Sequence, residues 1–211
     1  MRSFDYIESG KTLLTPHTTS LLAAIHEAKG RQSIQTTIRP DILGTLVAVA
    51  RIQSTDASNR IEGISTSDSR LNDLVSEKVT PRNRNEEEIA GYRDVLSAIH
   101  ESHDYIPVTP NVILQLHRDL FRHTPLTFAG HFKDSDNVII ERDAHGTSTV
   151  RFAPPSALVT PELIERACSA YTQAIRDEHT DPLLAIAMFI LDFTCIHPFN
   201  DGNGRMSRLL T

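Results

Sequence analysis

The chain has 211 residues, 39% of them hydrophobic, and a formal net charge of −6. That length fits one domain, or one domain with a helical extension, and suffices to bury a substantial core. The acidic balance argues against a broad nucleic-acid footprint, which needs a basic face. Met1 to Gly10 lack the apolar centre of a signal peptide. The longest apolar run, Leu183 to Ile196, is broken by Asp192 and falls short of the ~20 residues a membrane span needs. No membrane partner is expected. Cys168 and Cys195 show no paired or CxxC spacing, so reduced thiols in the cytoplasm are the simplest reading. Cys195, on an apolar helix, is expected to be a buried packing residue.

In chain order, Thr18 to Lys29 carries apolar residues at helical spacing, and Pro40 to Gln53 reads as a largely buried helix. Ser58-Asn59-Arg60-Ile61-Glu62-Gly63 follows; by itself it is a surface serine and a helix end with glycine just past it. Residues 76–84 read as an exposed connection. Asn85 to His100 is a helix whose opening acids Glu86, Glu87 and Glu88 suit the positive end of its dipole. Pro110 to Phe121 and Pro161 to Arg176 each set proline in a likely first turn. Between them, Ala129 to Ile140 and Thr147 to Phe152 are two β-branched runs around the polar turn Glu141 to Gly146, which predicts a hairpin. Strand signals are confined to it, so the fold class is all-α with one small β-hairpin. Asp134-Ser135-Asp136-Asn137 resembles a calcium loop only briefly, since Val138, Ile139 and His145 stand where that loop needs Asp or Asn, Gly and Glu. Of ten histidines none forms HExxH or another close ligand pair. Apart from His197 they are read as structural or surface residues.

The densest information lies at the end. Asp181 to Ile196 reads as a buried apolar helix, and Pro198 disfavours helical geometry at His197, so the helix should stop there. The next residues are His197-Pro198-Phe199-Asn200-Asp201-Gly202-Asn203-Gly204-Arg205-Met206-Ser207-Arg208. Gly202 and Gly204 permit an unusual backbone before a new helix at Met206 to Leu210, and such a turn presents free N–H groups to an anion. Asp201 is a hard oxygen ligand beside that anion site, suited to Mg²⁺. Arg205 and Arg208, three apart, share a helix face and can clamp phosphate oxygens, and Asn203 can offer its amide to them. His197, with an ordinary pKa near ~6.5, suits a proton acceptor at neutral pH. Phe199 reads as a buried anchor. Together these are the parts needed to hold a nucleotide polyphosphate and pass a group to a hydroxyl.

This stretch resembles the Fic signature HPFx[D/E]GNGRxxR, matching all nine of its specified residues. The resemblance implies attack on the α-phosphate of ATP by a Ser, Thr or Tyr hydroxyl of a target protein, leaving AMP on the target. It implies His197 as general base, Asp201 as the Mg²⁺ ligand and Gly202 to Gly204 as the anion hole. Arg205 and Arg208 would hold the β- and γ-phosphates. Ser58 to Gly63 resembles the family's inhibitory pattern [S/T]xxxE[G/N], which implies that Glu62 pairs with Arg208 and misaligns ATP. The hairpin resembles the flap that aligns the target segment by strand-like pairing, here Lys133, Asp134, Asn137, Val138 and Ile139. Residues 1–39 would then be an N-terminal helical extension, and 40–211 the Fic domain with its inhibitory helix near 45–63. Relatives continue past the signature, so the family's C-terminal helices are expected to be missing beyond Thr211, through truncation or with an incomplete base site. The same parts would serve AMP removal or another nucleotide donor. A nucleotide-sensing protein without turnover is the reading from a different class. The resemblance also allows a homodimer that locks the inhibitory helix.

Overall fold

The computed structural model describes residues 4–38, 40–143 and 146–211. Among these residues the chain forms α1 (Tyr6–Leu13), α2 (Pro16–Ile38), α3 (Pro40–Ile61), α4 (Asp68–Val75), α5 (Arg84–Ser102) and α6 (Pro110–Leu120). After them come the strands β1 (Ile139–Arg142) and β2 (Ser148–Phe152), then α7 (Thr160–Arg176), α8 (Pro182–Ile196) and α9 (Asn203–Leu209). Helices start where the chemistry favours it. Asn83, Thr109 and Asp181 accept from the N–H groups of Glu86, Val112 and Leu183 at the heads of α5, α6 and α8, filling donors that a helix start leaves open.

One core gathers Tyr92 and Val95 of α5, Ile113, Leu120 and Phe121 around α6, Ile164 and Ala167 of α7, and Phe189 and Phe193 of α8. Phe199 and Met206 of the signature belong to the same core and are fully buried. Their burial contributes on the order of 1.5–3 kcal/mol each, so the signature loop is anchored by its own apolar residues. α8 turns Leu184, Ala185, Met188, Phe189, Asp192, Phe193 and Ile196 inward, a helical stripe packed on α7 and α1. Its outer face is apolar too, and Leu191 stays half exposed. Asp192 is buried within the stripe and accepts from the Tyr6 hydroxyl at 2.9 Å.

Three expectations need correction or refinement. α3 is not largely buried: Leu46, Val47 and Val49 are 61%, 41% and 47% exposed, whereas the polar Thr55, Ser58 and Asn59 near its end are buried. The helix packs on α2, α4, α5 and α9, and Leu46, Val47 and Val49 of its first half are left facing solvent. Cys168 is buried, with its thiol pushed up to about 12 by burial, but Cys195 is only half-buried and lines an apolar cleft with Phe152, Pro154 and Ile196. The stretch before residue 40 is tied to the remainder, since Tyr6 lies in the core and His26 meets Asp181 at 2.8 Å; residues 1–3 and 39 lie outside the described residues.

The hairpin is antiparallel, pairing Ile140 with Val150 and Glu141 with Thr149, with an irregularity between Ile139 and Ile140. Residues 144 and 145 of its expected turn lie outside the described residues. Residues 76–84 run mostly exposed as expected. Glu86 fastens this connection to α5 by accepting from Arg70, Thr66 and the Arg82 N–H, and the Arg70 guanidinium first of all holds its carboxyl down at about 2. No helix among the described residues is long and apolar enough to cross a membrane.

Candidate active site

α8 ends as Pro198 requires. His197 takes the left-handed conformation at φ 51° and ψ 63°, its N–H still bonded to the Phe193 carbonyl at 3.0 Å. A non-glycine residue held there stores of order 1 kcal/mol of strain. Several groups hold it. The Lys133 ammonium donates to the Ile196 carbonyl at 3.1 Å and to the Asn137 side-chain oxygen at 3.0 Å, and its backbone N–H donates to Pro198 at 2.8 Å. A cation over the last carbonyls of a helix is well placed. Asn137 in turn donates to the Phe199 carbonyl at 3.3 Å, and Asn200 donates to Asp134.

His117 braces the loop from the other side. Its ring lies flat on Phe199, centroids 3.7 Å apart. Nδ1 accepts from the Gly130 N–H at 3.0 Å, so Nε2 carries the proton and donates to the Asp201 carbonyl at 3.1 Å. Burial pushes its pKa down to about 4. His117 is thus a neutral bracket between the flap base and the signature.

His197 itself is half-buried, with Nδ1 turned inward and the Thr194 backbone beside the ring. Burial first, and then the Lys133 ammonium, hold its pKa below the ordinary histidine value. Both push toward the neutral ring that can accept a proton.

Gly202, at φ 80° and ψ 4°, is the N-cap of α9, with no side-chain cap. The first N–H groups of a helix have no intrahelical acceptor. Into this place comes Glu62: a Cβ added at Gly204 would collide with its Oε1, so only glycine leaves room for the carboxylate. Arg208 holds that carboxylate at 2.6 Å, while its Nε donates to the Ser58 hydroxyl at 2.7 Å and Nη2 to the Ser58 carbonyl at 3.0 Å. Glu62 is fixed by its own turn. It is the last residue before Gly63, whose φ of 76° lets the Gly63 N–H reach the Arg60 carbonyl and the Ile64 N–H reach that of Asn59, the pair of hydrogen bonds that closes many helices. Ser58 to Gly63 is thus a helix end whose Ser58 and Glu62 side chains both meet Arg208.

Other expected residues are placed differently. Arg205 is 1% exposed, paired with the equally buried Glu88 at 2.6 Å and lying over the Phe121 ring. Its side chain is part of the interior. Asn203 does not aim its amide at the anion site; the amide accepts from the Phe199 N–H at 2.9 Å and donates to the Phe199 carbonyl at 2.8 Å, closing the loop. Of the five flap residues, Lys133 is buried, so a surface role in target binding is corrected to holding the loop, and Asn137 and Asp134 also bond to it. Asp134 and Val138 are exposed, and Asn137 and Ile139 half-buried. Asp201 is 48% exposed, its Oδ1 accepting from the Gly202 N–H at 2.6 Å. Sequence reasoning missed Glu88, His117 and Arg84. Glu88 stood in the acidic run read as a helix start, and His117 among the histidines set aside.

Residues 107–211 match the Fic/DOC family. A Fido domain-containing protein of Dictyostelium discoideum is 38% identical over 80 residues, 36% of this chain and 51% of that protein. A Fic domain containing signaling protein from Bacteroides thetaiotaomicron shares the fold with a TM-score of 0.70 at 24% identity, over 81% of this chain and 64% of that one. A Fic family protein from Desulfovibrio desulfuricans does so with a TM-score of 0.72 at 23% identity, over 93% and 56%. The chain therefore spans between half and two thirds of the length of these relatives. It belongs to the Fic family, whose members generally transfer nucleotide-derived groups to proteins.

Proposed function

We propose that the protein is an autoinhibited protein adenylyltransferase, moving AMP from ATP to a Ser, Thr or Tyr hydroxyl of a target protein. The observation that carries the reading is the Glu62 carboxylate, held by Arg208 at 2.6 Å over Gly204. An anion of this chain already rests where a helix start and a guanidinium attract one. A terminal phosphate would bind the same groups, and Glu62 would repel it. Release of Glu62 therefore frees Arg208 to align the nucleotide.

In the productive arrangement His197 takes the proton of the target hydroxyl as its oxygen bonds to the α-phosphorus. The bond from that phosphorus to the bridging oxygen breaks, and pyrophosphate leaves. Lys133 and His117 hold the loop so that His197 keeps its position. Val138, just before β1, and Ile139, its first residue, would align a target strand by backbone pairing.

Asp201 is tested as a magnesium ligand by its own chemistry. Among the described residues no group of three His, Cys, Asp or Glu side chains converges as a metal cage. A single half-exposed carboxylate completed by phosphates and water is an arrangement magnesium accepts, so Asp201 fits, and the ion would supply neutralisation of phosphate charge.

The test is incubation with α-labelled ATP and Mg²⁺ of wild type, Glu62→Gly and Glu62→Gly/His197→Ala. Label transferred by Glu62→Gly far above wild type, and lost in the double variant, supports the reading. Folded Glu62→Gly protein that binds ATP and transfers nothing refutes it.

A further inference from the structure

Arg84 stands where local electrostatics disfavour it. It is the first residue of α5, at the positive end of the helix dipole, and its partner Glu88 follows at i+4, the weaker order for such a pair. Nε donates to Glu88 Oε1 at 2.8 Å. Nη2 reaches to 4.0 Å from Asp201 Oδ2, and the side chain is 63% exposed. Glu88 gives its other oxygen to Arg205 at 2.6 Å. One buried carboxylate thus separates a guanidinium enclosed in the interior from one at the surface. Both line a cleft of about 320 Å³ with Glu62, Gly63, Asn85 and Asp201, beside the start of α9.

The cleft carries three carboxylates, Glu62, Glu88 and Asp201, against Arg84 and Arg205. Arg205 lines it with a side chain only 1% exposed, its guanidinium already held by Glu88. We infer that Arg84 supplies the missing grip, a phosphate-binding guanidinium that meets the β- and γ-phosphates of a nucleoside triphosphate from the α5 side. Its exposed tip is free to swing from Asp201 toward a polyphosphate, while Glu88 retains Arg205 as counterion. This rests on the reading of the site as a nucleoside triphosphate site, and it adds a residue outside the signature to the recognition of the leaving group.

The experiment measures binding by calorimetry in the Glu62→Gly background, with Mg²⁺, for ATP, inorganic pyrophosphate and AMP, comparing Arg84, Arg84→Lys and Arg84→Gln. Loss of one exposed charge-assisted contact is expected to weaken ATP and pyrophosphate about tenfold in Arg84→Gln, with Arg84→Lys between. AMP affinity and the thermal midpoint should stay as in the parent. Unchanged ATP affinity, or equal loss for ATP and AMP, overturns the assignment and leaves Arg84 a structural partner of Glu88. A folded Glu62→Gly parent that binds neither ATP nor pyrophosphate overturns the triphosphate reading itself, and this inference with it.

Discussion

Substituting Glu62 in two ways separates the charge from the shape of the contact over the anion site. The carboxylate accepts from Arg208 at 2.6 Å, and the two side chains are 34% and 30% exposed. A charge-assisted hydrogen bond contributes roughly 1.5–3 kcal/mol when shielded, and partial exposure moves this pair to about 1–2 kcal/mol. Breaking it before each productive encounter would slow transfer about five- to thirtyfold. Sharing the site is no escape, because a phosphate oxygen ~4 Å from the carboxylate would be repelled by roughly 4 kcal/mol at an effective dielectric near 20. Repulsion exceeds the pair's own stability, so Glu62 must leave for the γ-phosphate to seat. Glu62→Gly is therefore expected to raise the rate of label transfer from α-labelled ATP by about five- to thirtyfold. Glu62→Gln, of equal size but neutral, should fall between it and wild type. Initial rates at saturating ATP, with circular dichroism to confirm folding, measure the series. Wild-type rates in both variants, with ATP bound, would refute the argument that this charge holds the enzyme back.

The remaining expectations concern protons and the interior. Because burial and Lys133 lower the pKa of His197 from 6.5, its neutral form persists below that pH, and the Glu62→Gly rate should be level through neutrality and decline only in the acid range. A pH–rate profile whose acid limb lies above pH 6.5 would exclude His197 as the base. His117 is neutral when folded, with a pKa of about 4 against 6.5, so its contribution is complete above pH 6.5 and is lost as pH falls toward 4. The loss integrates to about 3 kcal/mol, and His117→Gln should flatten the pH dependence of stability over that window in urea titrations. Glu88→Gln strands the buried Arg205 and should lower stability by about 3–5 kcal/mol; a change within ~1 kcal/mol in urea denaturation would show that Arg205 does not depend on it.

Much of this molecule was written locally. The signature showed where α8 stops, because Pro198 acts on its immediate neighbour, and it showed the phenylalanine anchor. Opening acids placed α5, prolines in the first turn placed α6 and α7, and an apolar run placed α8, all through near neighbours. What stayed hidden depends on distant partners. α3 looked buried because its apolar residues repeat at helical spacing, yet the spacing says nothing about whether a neighbour exists to cover them. The polar end, Thr55, Ser58 and Asn59, is what the fold encloses. Lys133 read as a flap residue, since no local pattern shows that the Ile196 carbonyl, 63 residues on, receives its ammonium. Asn203 looked like a ligand for phosphate because its neighbours in the signature read that way. Its amide had a nearer acceptor and donor in Phe199.

The two signature arginines show how burial divides like pairs by role. Arg205 and Glu88 meet at 2.6 Å with 1% and 3% of their side chains exposed, and Arg208 and Glu62 meet at the same distance with about a third exposed. Water cannot replace the lost partner in the first pair, so breaking it leaves a bare charge in the interior. In the second, solvent and the two Ser58 oxygens remain available to Arg208. Distance alone would rank the pairs as equals. Desolvation makes one a fixed part of the fold and leaves the other open to solvent, and only an open pair could act as the brake proposed above.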